Sequence, residues 1–272
     1  MEDNGLILNS HFIPTEIVTH ILNLVDPDDL IYKCRFVCRN WNQIITDAEV
    51  WKLKIRMSNR KLLSKFNDIE RKRLKIPWHV YYQVYCKDPF EKNLLLNNCG
   101  QNNNECWNYC YVAPGFPTGS CTIEPYPVGA DPLPECDDFG GYKSCFVTSH
   151  KTCRKEQIID LYKNGLSKFV LDEMQPKIIA SEWFAGRFDC GCKYSLTVSL
   201  VSSDGESVIK QKNEEKRVDE PLAHEWQKVS IEFENYGSGV RFVVFNHSGK
   251  DTRYWAGYYG AKMAGGVVKV TL

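Results

Sequence analysis

Strict alternation of apolar and polar side chains is the feature that most narrows the fold. From Lys193 to Leu200 it puts Tyr194, Leu196, Val198 and Leu200 on one side of an extended segment. That is the two-residue period of a half-buried strand. Val229, Ile231 and Phe233 repeat it, as do Val240 with Phe242, and Val268, Val270 and Leu272. Ile178-Ile179-Ala180 and Cys145-Phe146-Val147 read as further short strands, and Ser203-Asp204-Gly205 and Tyr236-Gly237-Ser238-Gly239 as turns. No helix-length crossover separates these strands. An antiparallel β-sandwich, jelly-roll-like, is expected from about residue 88 onward. Loops at one end of such a sandwich are a natural binding site.

The loop that stands out is Gly249 to Gly260, with Tyr254, Trp255, Tyr258 and Tyr259 after Lys250, Asp251 and Arg253. Each ring offers an apolar face, and Tyr and Trp add a polar handle. That suits a sugar, which has an apolar C–H face and a rim of hydroxyls. The residues alone leave a second reading open. Tyr254 and Trp255 could be buried sandwich core, and Asp189 a turn residue before Gly191.

The N-terminal part is helical in pattern, and the chain divides into an all-α domain over 1–56, a helical linker over 57–87 and the sandwich over 88–272. Pro14 and Glu16 suit a helix start. Ile17, Ile21, Leu24 and Val25 follow at helical spacing. Asp26-Pro27-Asp28-Asp29 ends that helix and can cap the next. Leu30, Cys34, Val37, Cys38 and Trp41 form a second stripe, and Asp47 can cap a third helix through Trp51. Helices this short leave apolar surface over, either for a partner or for packing on the rest of the chain. The charge run Asp68 to Lys75 reads as a solvated helix face, and Ile76 to Tyr85 as a second amphipathic piece. Gln101 to Tyr142, rich in Pro, Gly and Cys, reads as loop.

Composition then excludes several classes. Lys+Arg and Asp+Glu both number 34, which gives no support to non-specific nucleic-acid or membrane-surface binding. No apolar run reaches the roughly 18 residues of a membrane helix. Met1 to Gly5 lacks the basic start of a signal peptide, so a cytosolic or nuclear, reducing location is expected, cytoplasmic in the first instance. The 12 cysteines are then expected as free thiols, with Cys34, Cys38, Cys86 and Cys145 as small buried hydrophobes. Cys106-x-x-x-Cys110 is one loose pair without a second, and Cys190-Gly191-Cys192 is tighter than a zinc knuckle. No cofactor or metal is expected. There is no His-x-x-x-His, no Gly-x-Ser-x-Gly and no phosphate-binding glycine loop. Cys153, beside Arg154 and Lys155, reads as a packed thiol. The chain is not expected to be an enzyme.

Two segments carry family resemblances. Ile13-Pro14-Thr15-Glu16-Ile17, Ile21-Leu22, Leu30, Cys34-Arg35-Phe36-Val37-Cys38-Arg39-Asn40-Trp41 and Trp51-Lys52 resemble an F-box, with Ile-Pro in place of the usual Leu-Pro. The resemblance implies docking on the Skp adaptor of a cullin-RING (SCF) ubiquitin ligase. It nominates Pro14, Ile17, Ile21, Leu30, Val37 and Trp41 as adaptor contacts.

The second resemblance covers about residues 88–272. Asn93-Leu94-Leu95, Cys99-Gly100, Cys153-Arg154-Lys155, Gln157-Ile158-Ile159-Asp160-Leu161, Trp183-Phe184-Ala185-Gly186-Arg187, Asp189, Gly191-Cys192, Gly239-Val240-Arg241-Phe242-Val243 and Tyr254-Trp255-Ala256-Gly257 look like the F-box-associated (FBA) domain of sugar-recognising F-box proteins. Such proteins bind the inner chitobiose of N-glycans on misfolded glycoproteins and present them for ubiquitination and ER-associated degradation. By the resemblance, Asp189 is the sugar-hydroxyl acceptor and Tyr254 and Trp255 are the aromatic pair at the glycan. His150 stands where glycan binders carry a stacking Phe, and Ala256 where they carry a Lys. Those departures keep open an alternative, an SCF receptor that reads a protein surface or peptide instead of a glycan.

Overall fold

The computed structural model describes residues 6–8, 11–71, 74–110 and 119–272. The N-terminal pentapeptide, part of the charge run (72–73) and the middle of the loop-rich stretch (111–118) lie outside the described residues. Two compact units appear: Met1–Pro89 together with Gly165–Val170, and Phe90–Asn164 together with Leu171–Leu272.

The first unit opens with a short pairing of β1 (Ile7–Leu8) with β2 (His11–Phe12) and continues as six helices. These are α1 (Thr15–Leu24), α2 (Pro27–Tyr32), α3 (Arg39–Ile45), α4 (Ala48–Ser58), α5 (Arg60–Arg71) and α6 (Trp78–Lys87). The caps follow the sequence. Asp26 and Asp47 each accept a backbone N–H two residues on, at 2.9 Å, satisfying donors that a helix start leaves free. At the other end of α1, the buried Lys54 donates from Nζ to the carbonyls of Asn23 (2.8 Å) and Val25 (3.0 Å), placing a cation at a helix C-terminus.

Trp51 anchors this unit. It is fully buried and donates from Nε1 to the Ile45 carbonyl at 2.8 Å. Trp78 stacks near it at 6.4 Å and Tyr82 meets it edge-on at 4.9 Å. Leu62, Leu63, Phe66, Val80, Tyr81 and Val84 are all buried as well. The described parts of 57–87, expected as a linker, therefore pack into the helical core through α5 and α6.

The second unit is two five-stranded antiparallel sheets. Its strands are β3 (Asn108–Tyr109), β4 (Cys121–Glu124), β5 (Cys145–Thr148), β6 (Cys153–Asp160), β7 (Lys177–Ala185), β8 (Cys192–Ser202), β9 (Val208–Val218), β10 (Gln227–Phe233), β11 (Val240–Asp251) and β12 (Lys262–Thr271). One sheet runs β10-β7-β12-β5-β4, the other β3-β6-β11-β8-β9. Tyr194, Leu196, Val198 and Leu200 are buried, as are Val229, Ile231 and Phe233, and Val268 and Val270. That is the sandwich core the alternation predicts.

Three readings need correction here. Val240 and Phe242 do not share a face. A bulge between them shifts the register, so Val240, Val243 and Phe245 are the buried members. Strand β9 has no counterpart in the sequence reading, because its middle, Lys210 to Arg217, is an unbroken run of polar and charged side chains and none of its residues is buried. It is an edge strand, where charge discourages pairing with other chains. Among the four cysteines expected to be buried, Cys145 is, Cys34 and Cys38 are half-buried, and Cys86 is exposed. None of the 12 cysteines is in a disulfide. Cys153 is buried, and its contact with the Cys121 thiol together with burial pushes its own thiol up.

Candidate functional site

Three loops meet at one end of the sandwich. The N–H of Asp251 donates to the Ser149 carbonyl (3.2 Å), that of Thr252 to Gly191 (3.0 Å) and that of Gly260 to Thr148 (2.8 Å). Main-chain bonds thus tie the β11–β12 aromatic loop to the β5–β6 and β7–β8 turns. Gly260 is required at the return. A Cβ there would collide with the Thr148 side chain and carbonyl.

Asp251 shapes the loop. Its side chain is fully buried and accepts the N–H groups of Tyr254 at 2.7 Å and Trp255 at 3.0 Å. A buried carboxylate is tolerable because those donors satisfy it. Tyr254 is held at φ 59°, a left-handed conformation that costs a residue with a Cβ about 1–3 kcal/mol. Tyr254 is 71% exposed and Trp255 42%. The reading of these two as sandwich core is therefore overturned.

Asp189 lies in the tight turn closed by reciprocal bonds between Arg187 and Cys190 (3.1 and 3.2 Å). Arg187 clasps its carboxylate, donating from Nε to Oδ1 at 2.9 Å and from Nη2 to Oδ2 at 3.2 Å. The same guanidinium lies over the Tyr259 ring at 4.7 Å, and Tyr259 meets Trp255 edge-on at 5.5 Å. Asp189, Arg187, Tyr259 and Trp255 thus form one chain of contacts. The Arg187 guanidinium holds the Asp189 carboxyl below the usual carboxylate range. The result is an ionised, partly exposed acceptor. Arg187 engages one lone pair on each oxygen and leaves others to accept from a ligand.

His150 follows Ser149 on the β5–β6 turn, half-buried, with Nδ1 buried and without a partner. Asp189, Tyr254, Trp255 and His150 thus come to the same end, the first three through linked contacts. Sequence reasoning gave no site role to Arg187 or the exposed Phe188 (59%), and counted Tyr259 only as one of the four rings of the loop. A guanidinium two residues from the proposed acceptor was the available signal for Arg187.

On the helical unit, Ile17, Ile21 and Val37 are 51%, 46% and 60% exposed, Pro14 is exposed and Trp41 half-buried. The α1 stripe points outward, because Val18 and Leu22 are the residues that face the core. Leu30 is a correction. It is fully buried, since α2 is only six residues long and must turn Leu30 and Ile31 inward. It shapes the unit and has no surface to offer a partner. Phe12 (68%) and Phe36 (70%) extend the unit's apolar exposure.

These two architectures match known families. Residues 11–54 match the F-box-like family and residues 85–270 the F-box associated region, FBA. The chain belongs to the F-box substrate receptors that carry an F-box-associated region. F-box only protein 6 of Rattus norvegicus is 30% identical over 267 residues, covering 97% of this chain and 88% of that relative. F-box only protein 2 of Bos taurus is 32% identical over 261 residues, covering 95% and 82%. Among solved structures, TmCBM61 in complex with beta-1,4-galactotriose covers 66% of this chain and 99% of its own, at 13% identity and a TM-score of 0.40. Among the described residues no helix is long and apolar enough to cross a membrane, and no three His, Cys, Asp or Glu side chains converge as metal ligands.

Proposed function

We propose that this chain is the substrate-recognition subunit of an SCF-type ubiquitin ligase. Its helical unit docks on the Skp adaptor, which joins it to the cullin. Its sandwich binds the chitobiose core of N-glycans on misfolded glycoproteins, marking them for ubiquitination and ER-associated degradation from the cytoplasmic side. The chain itself is non-catalytic, and ubiquitin transfer belongs to the recruited conjugating enzyme. The observation that supports this most is the exposed Tyr254–Trp255 pair, held open by the buried Asp251 carboxylate beside the ionised Asp189. A Trp or Tyr face covers the apolar side of a sugar ring, and a carboxylate accepts charge-assisted hydrogen bonds from its hydroxyls.

A glycan array probed with the intact protein tests the reading. Saturable binding to chitobiose-core glycans is expected. Silence on the array, with adaptor co-purification intact, favours a receptor that reads a protein surface, for which His150 and Ala256 leave room.

Two further outcomes are expected. Because Arg187 keeps Asp189 charged below the ordinary carboxylate range, glycan affinity should stay level between about pH 7 and about pH 5. It should fall only as the pH drops below the ordinary Asp value of about 4. Calorimetric titration across that range checks this; a loss centred near pH 6 would assign the role to an imidazole. On the helical unit, Ile21→Asp puts a charge on an exposed apolar site without touching the core. Adaptor binding should weaken at least about tenfold, by about 1.4 kcal/mol or more, with unfolding little changed. Surface plasmon resonance against purified adaptor decides; unchanged affinity would remove α1 from the interface.

A further inference from the structure

The outer face of the sheet β3-β6-β11-β8-β9 carries a charge arrangement the fold does not need. Lys250 on β11 lies directly opposite Lys193 on β8, and Lys193 directly opposite Arg217 on β9. Three cations thus stand in one row across three adjacent strands. Like charges directly opposite one another destabilise a sheet. Edge protection accounts for cations on β9 but not for Lys193 or Lys250, whose strands are paired on both sides. Arg154 on β6 adds a fourth cation one row along, opposite Ser248. The chain as a whole is balanced, 34 against 34, so the concentration is local.

Little on the protein neutralises this row. Arg217 is engaged by Asp219, at 2.9 and 3.1 Å. Arg154, Lys193 and Lys250 have no carboxylate partner within ion-pair distance among the described residues. Glu215, on the groove wall, accepts from Asn213 at 3.1 Å. The alternate side chains at this level, Cys153 and Tyr194, are buried in the sandwich, so the row faces solvent. The four cations line a groove of about 400 Å³, together with Ser248 and Gly249. Lys250 leads from it to the aromatic loop, its Nζ lying 5.6 Å from the centre of the Tyr254 ring.

We propose that this groove binds a phosphate or sulfate ester carried by the glycan whose core packs on Tyr254 and Trp255. The inference rests on the glycan reading of the loop. An anion placed among these cations removes the cross-strand repulsion and gains charge-assisted hydrogen bonds. The substrate class is therefore an esterified, anionic N-glycan, preferred over its neutral parent.

Calorimetry on the full chain tests this with four probes: a neutral chitobiose-core glycan, the same glycan as a phosphomonoester, the same as a sulfate ester, and inorganic phosphate. At least one ester is expected to bind about tenfold tighter than the neutral glycan, and the preference should shrink as salt is raised. Which ester gains more identifies the group. The double variant Lys193→Gln, Arg154→Gln, at two exposed positions, should lose the preference and keep the neutral affinity. Equal affinity for neutral and esterified glycans overturns the proposal, as does a preference the double variant retains. If no glycan binds, the glycan reading fails, and inorganic phosphate decides the groove. Saturable binding abolished in the double variant upholds an anion site there, and no binding rejects it.

Discussion

Trp255→Ala is expected to weaken binding of a chitobiose-core glycan at least about thirtyfold, a loss of about 2 kcal/mol, as for a central aromatic contact. The same change should cost little stability, about 1 kcal/mol or less. The reason lies in how the loop is held. Asp251 accepts the N–H of Trp255, not its side chain, so truncation leaves the loop in place. What goes is the ring face and its edge contact with Tyr259. Titration calorimetry paired with chemical denaturation separates the two effects. Unchanged affinity would remove Trp255 from the binding surface. Lost affinity together with lost stability would mean that the ring supports the fold instead.

The second large effect is expected inside the sandwich. Glu182 is fully buried. It accepts the Tyr194 hydroxyl at 2.7 Å and lies 2.8 Å from His247 Nδ1. Burial pushes the His247 imidazole down, and the Glu182 carboxylate, which can only accept, takes the Nδ1–H. Trp107 stacks on it at 4.4 Å. Glu182→Ala leaves two buried donors without an acceptor, each costing about 1–3 kcal/mol, and adds a cavity. The total loss should be about 4 kcal/mol, enough to threaten the fold of a marginally stable domain. Glu182→Gln keeps an acceptor and should lose much less. A denaturation midpoint for Glu182→Ala equal to wild type would remove this network from the account of stability.

The same network fixes the direction of acid sensitivity. With its folded value below the ordinary imidazole value of about 6.5, His247 takes up its proton more readily in the unfolded chain. Stability contributed by the neutral ring is complete above that value and is lost as pH falls through it. Lys155, also fully buried and pushed down by burial, acts in the same direction from a higher starting pH. Both groups make the sandwich weaker in acid.

What the sequence reveals follows from what each residue must bury. Tyr194, Leu196, Val198 and Leu200 announce a strand because one face of β8 is core and the other is not. Strand β9 announces nothing, since both its faces are solvated. The bulge after Val240 defeats an alternation argument, because one extra residue sends the next side chain to the opposite face. On α1 the helical period is legible, yet Ile17 and Ile21 face outward. An exposed apolar stripe has the same spacing as a buried one. Leu30 shows the converse, a motif position consumed by packing. In the loop, the sequence shows four rings but not which are exposed. Their exposure is set by Asp251, whose two backbone hydrogen bonds have no signature in composition or period. The clasp of Asp189 by Arg187 is likewise a matter of geometry across a tight turn.

Because Asp251 grips main-chain N–H groups alone, the path of the loop depends on the residue at 254 only through its left-handed backbone and on the side chain at 255 only through its edge contact with Tyr259. A library randomised at Trp255 and Ala256, proline excluded at 255, should consist largely of folded proteins with altered loop surfaces. Changing what this loop presents is then a problem of choosing side chains, with the backbone already supplied.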